Sequence, residues 1–242
     1  MTQNTAQINM TQNISPKTSR NITLSGIALW ACLLAVWGAA IAVVPADANQ
    51  GEVYRIIYLH VPSAIAAFSA SFFLALAGAL ALWTRDEKFL TWQRALAEAG
   101  LLMTVLALVT GSIWGKPTWG TWWTWDARLT TTFLLAILLA SYLMLHSALP
   151  SGRQRIAVCS GLGILIFADV PIIYKSVTWW RTLHQPPTII RSGGSTMAPE
   201  MLAVLIAGIV TMVLMTLWLA WLRADSLELG RELESQTGAA LT

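Results

Sequence analysis

The chain has 242 residues, a mean hydropathy of +0.60 and 11% charged residues, less than half of the ~25% usual for a soluble domain. With apolar runs recurring from end to end, this excludes a soluble globular core and reads as an integral membrane protein. The formal charge of +3 gives no reason to expect a nucleic-acid partner, because in membrane proteins basic residues mainly set topology.

In chain order, residues 1–23 are polar and rich in Asn, Thr and Gln, which predicts a disordered cytoplasmic tail. An apolar run of 21 residues, 24–44, follows. Ala46-Asp47-Ala48 behind it resembles a signal-peptidase site, but the run exceeds the 7–15 residues or so of a signal core and reads as an uncleaved first span. Spanning the hydrocarbon takes about 20 helical residues. Six segments qualify: 24–44, 57–83, 95–114, 129–149, 156–174 and 200–222. The expected fold is therefore an all-α integral membrane protein, a six-transmembrane-helix bundle over 24–222. Pro62 and Pro171 fall near helix ends, where a missing backbone donor is tolerable. No internal repeat suggests an inverted-repeat transporter. Residues 223–242 read as a charged cytoplasmic C-terminal tail that extends the last helix before fraying.

Even span number puts both termini on one side. That side carries nine of the 15 Lys and Arg and the other carries six, so both termini are expected in the cytoplasm. Cys32 and Cys159 lie in apolar runs without a Cys-x-x-Cys pattern, which excludes a disulfide framework and covalent haem attachment.

The outer loop 114–128 holds the most unusual stretch, WGKPTWGTWWTWDARLT. Trp114, Trp119, Trp122, Trp123 and Trp125 fall within twelve residues, interleaved with Gly115, Pro117 and Gly120. A membrane-interface belt needs one or two Trp per helix end, and that reading suits Trp83, Trp92, Trp218 and Trp221; Trp30 and Trp37 read as packing residues. The loop cluster instead suggests a platform for a flat apolar ligand. His60, at the start of the second span, and His184, in the second outer loop 175–199, share its side by span counting, whereas His146 falls on the opposite side. Two imidazoles flanking an aromatic platform suit a haem iron, and Arg55, Arg128 and Arg181 stand on the side where propionates would need cations. Bland readings stay open: a lone interfacial His is commonly only packed, and Asp126 has the position of an N-cap for the fourth span. Asp169, at membrane depth, is a functional candidate without a visible partner; Glu98 reads as interfacial.

The Trp-rich loop resembles the WWD motif of haem-handling membrane proteins. YRIIYLHVPSA and WWRTLHQPPT resemble the histidine segments of one branch, the haem exporter protein C family of bacterial cytochrome c maturation. The resemblance covers about residues 50–190. It implies a multi-pass protein of the bacterial inner membrane with its haem site facing the periplasm. His60 and His184 would be axial ligands to haem b held transiently as cargo, and Trp114, Trp119, Trp122, Trp123, Trp125 and Asp126 would form the contact motif. It further implies delivery to a periplasmic haem chaperone that bonds haem through its own histidine. The partners would be an ABC ATP-binding subunit, its membrane subunit and a small single-span membrane protein. The implied role is not enzymatic. One departure is Thr132, where the family often has an acidic residue. Two other functions compete: a b-type cytochrome subunit for electron transfer, which would retain haem, and a haem permease, which would need a polar pathway that Asp169 and Glu98 barely supply.

Overall fold

A computed structural model describes residues 16–185 and 194–240. Residues 1–15 of the expected tail, residues 186–193 of the second outer loop (with Arg191) and residues 241–242 lie outside the described residues. Six long helices follow in order: α1 (Pro16–Ala42), α2 (Ile57–Thr84), α3 (Lys88–Trp119), α4 (Ala127–Ala148), α5 (Arg153–Trp179) and α6 (Pro199–Ala240). A 3-10 helix, Glu52–Ile56, runs directly into α2. All six are long and apolar enough to cross a membrane, and no strand occurs among the described residues. The protein is a multi-pass all-α membrane protein, as the apolar runs predict.

The helices are longer than those runs. Residues 16–23, expected as tail, belong to α1. The helix α3 begins seven residues before the expected 95 and continues to Trp119, α5 reaches Trp179, and α6 continues to Ala240. Hydropathy marks only the hydrocarbon-crossing part, while the helix continues wherever backbone hydrogen bonds continue, with its polar ends in the interface or in water. The 42 residues of α6 span about 63 Å, twice the ~30 Å of hydrocarbon.

Local chemistry sets the ends near the site. Gly120 adopts a left-handed conformation (φ 80°) and its N–H closes α3 on the carbonyl of Lys116 at 3.1 Å, a conformation that costs glycine no Cβ clash. Asp126 is extended and its Oδ1 accepts the Leu129 N–H at 2.8 Å, capping α4. The loop of 114–128 expected from sequence is thus only the seven residues 120–126.

The central helix is α2, packed against α3, α5 and α6. The helix α4 closes the other side against α3 and α5, and α1 lies outermost, mainly on α6. Contact faces are rich in small residues: Ala66, Ala67, Ala70 and Ala81 on α2, and Ala95, Ala97 and Ala107 on α3, are all buried. Small residues let helix backbones approach closely where lipid supplies no hydrophobic drive between them. At one end of the bundle Gln93 donates to Ser160 Oγ (3.2 Å) and accepts from Tyr142 (3.3 Å), while Glu98 pairs with Arg94 (3.1 Å) and Arg223 (2.5 Å). His146 lies at this end beside Tyr142. At the other end, the start of α2, the end of α3, the start of α4 and the segment after α5 converge.

Candidate functional site

At that convergence lies a cavity of about 430 Å³, within the range of small-molecule sites. His60 from α2, Trp114 and Trp119 from α3, Arg128 and Thr132 from α4, and His184 beyond α5 all line it. Its outer part carries Gln50, Thr118, Arg128 and Gln185. Deeper, it is lined by Ala64, Ile65, Phe68, Leu108 and Leu135.

Each histidine is fixed through Nδ1. In His60, Nδ1 lies 3.0 Å from the carbonyl of Ala107 and 3.1 Å from Thr110 Oγ1. A carbonyl only accepts, so Nδ1 carries the proton and Nε2 keeps its lone pair. In His184, Nδ1 lies 3.1 Å from Asp126 Oδ2 and 3.2 Å from Thr182 Oγ1, and a carboxylate selects the same tautomer. Neither Nε2 makes a hydrogen bond among the described residues. A ring pinned at one nitrogen by a carbonyl or carboxylate, with the other free, is the arrangement of metal-ligating histidines.

Asp126 does two jobs. While Oδ1 caps α4, Oδ2 accepts from the Thr182 hydroxyl (2.6 Å), from His184 and, more weakly, from the Leu183 N–H (3.4 Å). This folds the segment after α5 back onto the start of α4. Burial alone would raise the Asp126 carboxyl. Hydrogen bonds from His184, Leu129 and Thr182 outweigh it and hold the group well below the usual carboxylate range.

The tryptophans divide into two sets. Trp114 meets His60 edge-to-face at 5.7 Å and Trp119 meets His184 at 4.8 Å, so each imidazole is backed by one indole. Trp114 is itself held by Gln50, whose Oε1 accepts its Nε1–H at 2.7 Å. The other set, Trp123 and Trp125, packs with Phe133 instead. Trp122 and Trp125 are 57% and 74% exposed and do not line the cavity. Trp123 Nε1 is buried with no partner among the described residues.

The three arginines separate as well. Arg128 lines the cavity, with one Nη donating to the carbonyl of Tyr174 at 3.3 Å and a buried Nε that has no partner among the described residues. Arg55, expected to meet propionates, is committed elsewhere. It binds Glu52 and the carbonyls of Ala40 and Val44, tying the end of α1 to the 3-10 helix. Arg181 is exposed and makes no hydrogen bond or ion pair among the described residues. Thr132 lines the cavity and donates to the carbonyl of Arg128 at 2.8 Å.

Sequence reasoning missed Gln50, Ala107, Thr110, Gly111 and Thr182. Only Thr182 left a trace, two residues before His184; a backbone carbonyl such as that of Ala107 leaves none. No group of three or more His, Cys, Asp or Glu able to hold a metal ion occurs among the described residues. A bare transition ion commonly takes four protein ligands, whereas two imidazoles lining one cavity suit an iron that brings its own four nitrogens in a macrocycle. A flat, largely apolar ligand fits the cavity lining, with Arg128 as the cation at its polar end.

The sequence profile of heme exporter protein C matches residues 4–239. The chain belongs to that family. A heme exporter protein C of Haemophilus influenzae is 43% identical over 189 residues, covering 78% of this chain and 76% of that protein. The Escherichia coli K12 protein of the same name is 44% identical over 154 residues, 63% of this chain and 62% of its own length. A ccmC-like mitochondrial protein of cytochrome c biosynthesis from Marchantia polymorpha is 40% identical over 165 residues, 68% of each chain. The family resemblance carried by the WWD stretch and the two histidine segments is thereby borne out for the chain as a whole.

Proposed function

We propose that this member of the heme exporter protein C family holds haem b transiently between His60 and His184 at the periplasmic face of a bacterial inner membrane. It then delivers the haem to a periplasmic haem chaperone. The observation that carries this reading is that two imidazoles, each pinned at Nδ1 and unengaged at Nε2, line one cavity. His60 and His184 supply the axial nitrogens. Arg128 meets a propionate, the apolar lining covers the ring, and Trp114 and Trp119 keep the imidazoles oriented. The protein acts as a delivery module rather than a catalyst. It works with an ABC ATP-binding subunit, a membrane subunit and a small single-span protein, as the family's role in cytochrome c maturation suggests.

The test is an absorption spectrum of the detergent-purified protein, co-expressed with or without a periplasmic haem acceptor, alongside His60→Ala and His184→Ala. The expected result is a low-spin bis-imidazole spectrum, weakened in both variants, with haem moving to the acceptor. Stable haem without transfer would favour a b-type cytochrome subunit. Unchanged binding and transfer in both variants would overturn the proposal.

A further inference from the structure

The two histidines are held by chemically different acceptors. His60 Nδ1–H faces two neutral oxygens, the Ala107 carbonyl and the Thr110 hydroxyl. The hydroxyl is itself directed to the carbonyls of Leu106 (2.7 Å) and Ala107 (3.2 Å), so toward His60 it serves as an acceptor. His184 Nδ1–H faces a carboxylate. That carboxylate cannot swing away, because the Leu129 N–H holds one oxygen and the Thr182 hydroxyl the other. A hydrogen bond to an anionic acceptor is stronger than one to a neutral acceptor. It also pushes electron density onto the ring and raises the basicity of the free nitrogen.

We infer that the two imidazoles are unequal ligands: Asp126 makes His184 the anchoring ligand of the haem iron, and the bond to His60 is the one that opens for handover. This inference rests on the proposed function above. Asp126 is a positioning residue in this scheme, acting on the iron only through His184. The location of His60 on a long helix does not argue otherwise: the helix fixes where the ring is, while the Nδ1 partner sets how strongly Nε2 donates. Opening one iron–nitrogen bond needs no oxidant or proton donor. The lone pair stays on neutral Nε2 and the vacated position is left for an incoming ligand. With His184 still attached, the cargo is retained while one face becomes available.

The experiment uses full-length protein in detergent loaded with haemin. Ferric haemin affinity and the midpoint potential are measured for the wild type, Asp126→Asn and Thr110→Val, with His60→Ala and His184→Ala alongside. Asparagine remains a good N-cap, so α4 keeps its start. In Asp126→Asn the ferric affinity is expected to fall about 10–100-fold, as when the outer partner of a metal-bound histidine is lost. The ferrous form should lose less, because the anionic partner favours the more positive iron. The potential therefore moves positive, by about 59 mV for each tenfold difference between the two states. Thr110→Val, which leaves the Ala107 carbonyl as the remaining acceptor of His60, should lower the ferric affinity and shift the potential by less than Asp126→Asn does. His60→Ala should retain haemin with a one-imidazole spectrum, and His184→Ala should lose it.

An unchanged potential in Asp126→Asn, or an equal shift in Thr110→Val, would overturn the inference. So would His60→Ala losing haemin as completely as His184→Ala, a comparison that decides alone if Asp126→Asn does not fold. A wild-type protein that takes up no haemin would overturn the haem-binding reading itself, and this inference with it.

Discussion

Gly111 faces His60 across the α2–α3 contact, and the smallest possible side chain there tests the site's geometry. A Cβ at position 111 would lie 3.0 Å from His60 Cε1 and 3.4 Å from Nδ1. Ordinary carbon contacts are about 3.5–4.0 Å, so the imidazole in Gly111→Ala must give way by about half an ångström. Its Nδ1 is held at 3.0 and 3.1 Å, and such a displacement takes one or both bonds toward the limit of hydrogen bonding. Binding constellations tolerate about 0.5 Å of error, so the new methyl consumes the whole tolerance. Overpacking costs about 1–3 kcal/mol, and replacing a helical glycine by alanine returns about 1 kcal/mol. Fold stability should therefore change by less than about 2 kcal/mol. Haemin affinity should fall by about tenfold or more, the lower end for disturbing the outer partner of a metal-bound histidine. Haemin titration by absorbance and thermal melting by circular dichroism separate the two quantities. Gly161→Ala, where a Cβ meets nothing within 4 Å, is the control and should match or exceed wild type in both. Wild-type haemin affinity and spectrum in Gly111→Ala would refute the claim that His60 is held in position by its contact with α3.

Arg55→Ala should lower the melting temperature by freeing the end of α1 from the 3-10 helix, yet leave haemin affinity unchanged; a selective loss of affinity would return Arg55 to the site. Trp114→Ala and Trp119→Ala should each weaken haemin binding several-fold more than Trp122→Ala or Trp125→Ala, because only the first pair backs the imidazoles. A titration series giving the reverse order would contradict the division of the cluster. Asp126 contributes a pH-dependent share of stability. Its folded carboxyl is depressed, so the contribution is full above the unfolded value of about 3.9 and is lost as pH falls toward the folded one. The melting-temperature gap between wild type and Asp126→Asn should be steady near neutrality and close below about pH 4; a gap that widens in acid would contradict the depressed carboxyl.

The six spans were legible because burying a backbone in hydrocarbon demands long apolar runs, and 57–83 matches α2 closely. Helix ends were not, because Lys88–Arg94 and Arg223–Glu234 carry charges that an interfacial or projecting helix accepts as readily as a loop does. Span counting placed His60 and His184 at one end and His146 at the other. The Trp-rich stretch read as one platform because composition does not record direction. The last turns of α3 aim Trp114 and Trp119 at the histidines, and the turn after Gly120 sends Trp122 and Trp125 outward. The N-cap reading of Asp126 holds, and it is compatible with the hydrogen bond to His184, since the two oxygens take separate donors. The position of Arg55 could not be read at all: its partners are two backbone carbonyls and a glutamate three residues away.

The clasp between Asp126 and the segment after α5 also fixes an order of events in biosynthesis. His60 and His184 are separated by 124 positions (184 − 60). At the usual 5–20 residues per second, roughly 6–25 s pass between their syntheses. During that interval α2, α3 and α4 can be inserted with His60 in place, but Asp126 has no imidazole to grip. On the proposed function, a nascent chain would therefore lack the second imidazole of its site until the fifth helix has been made and Thr182 and His184 have reached Asp126. Ribosome-stalled chains that still hold residue 184 inside the ribosome, compared with longer ones that have released it, would mark that moment as a step in haemin retention.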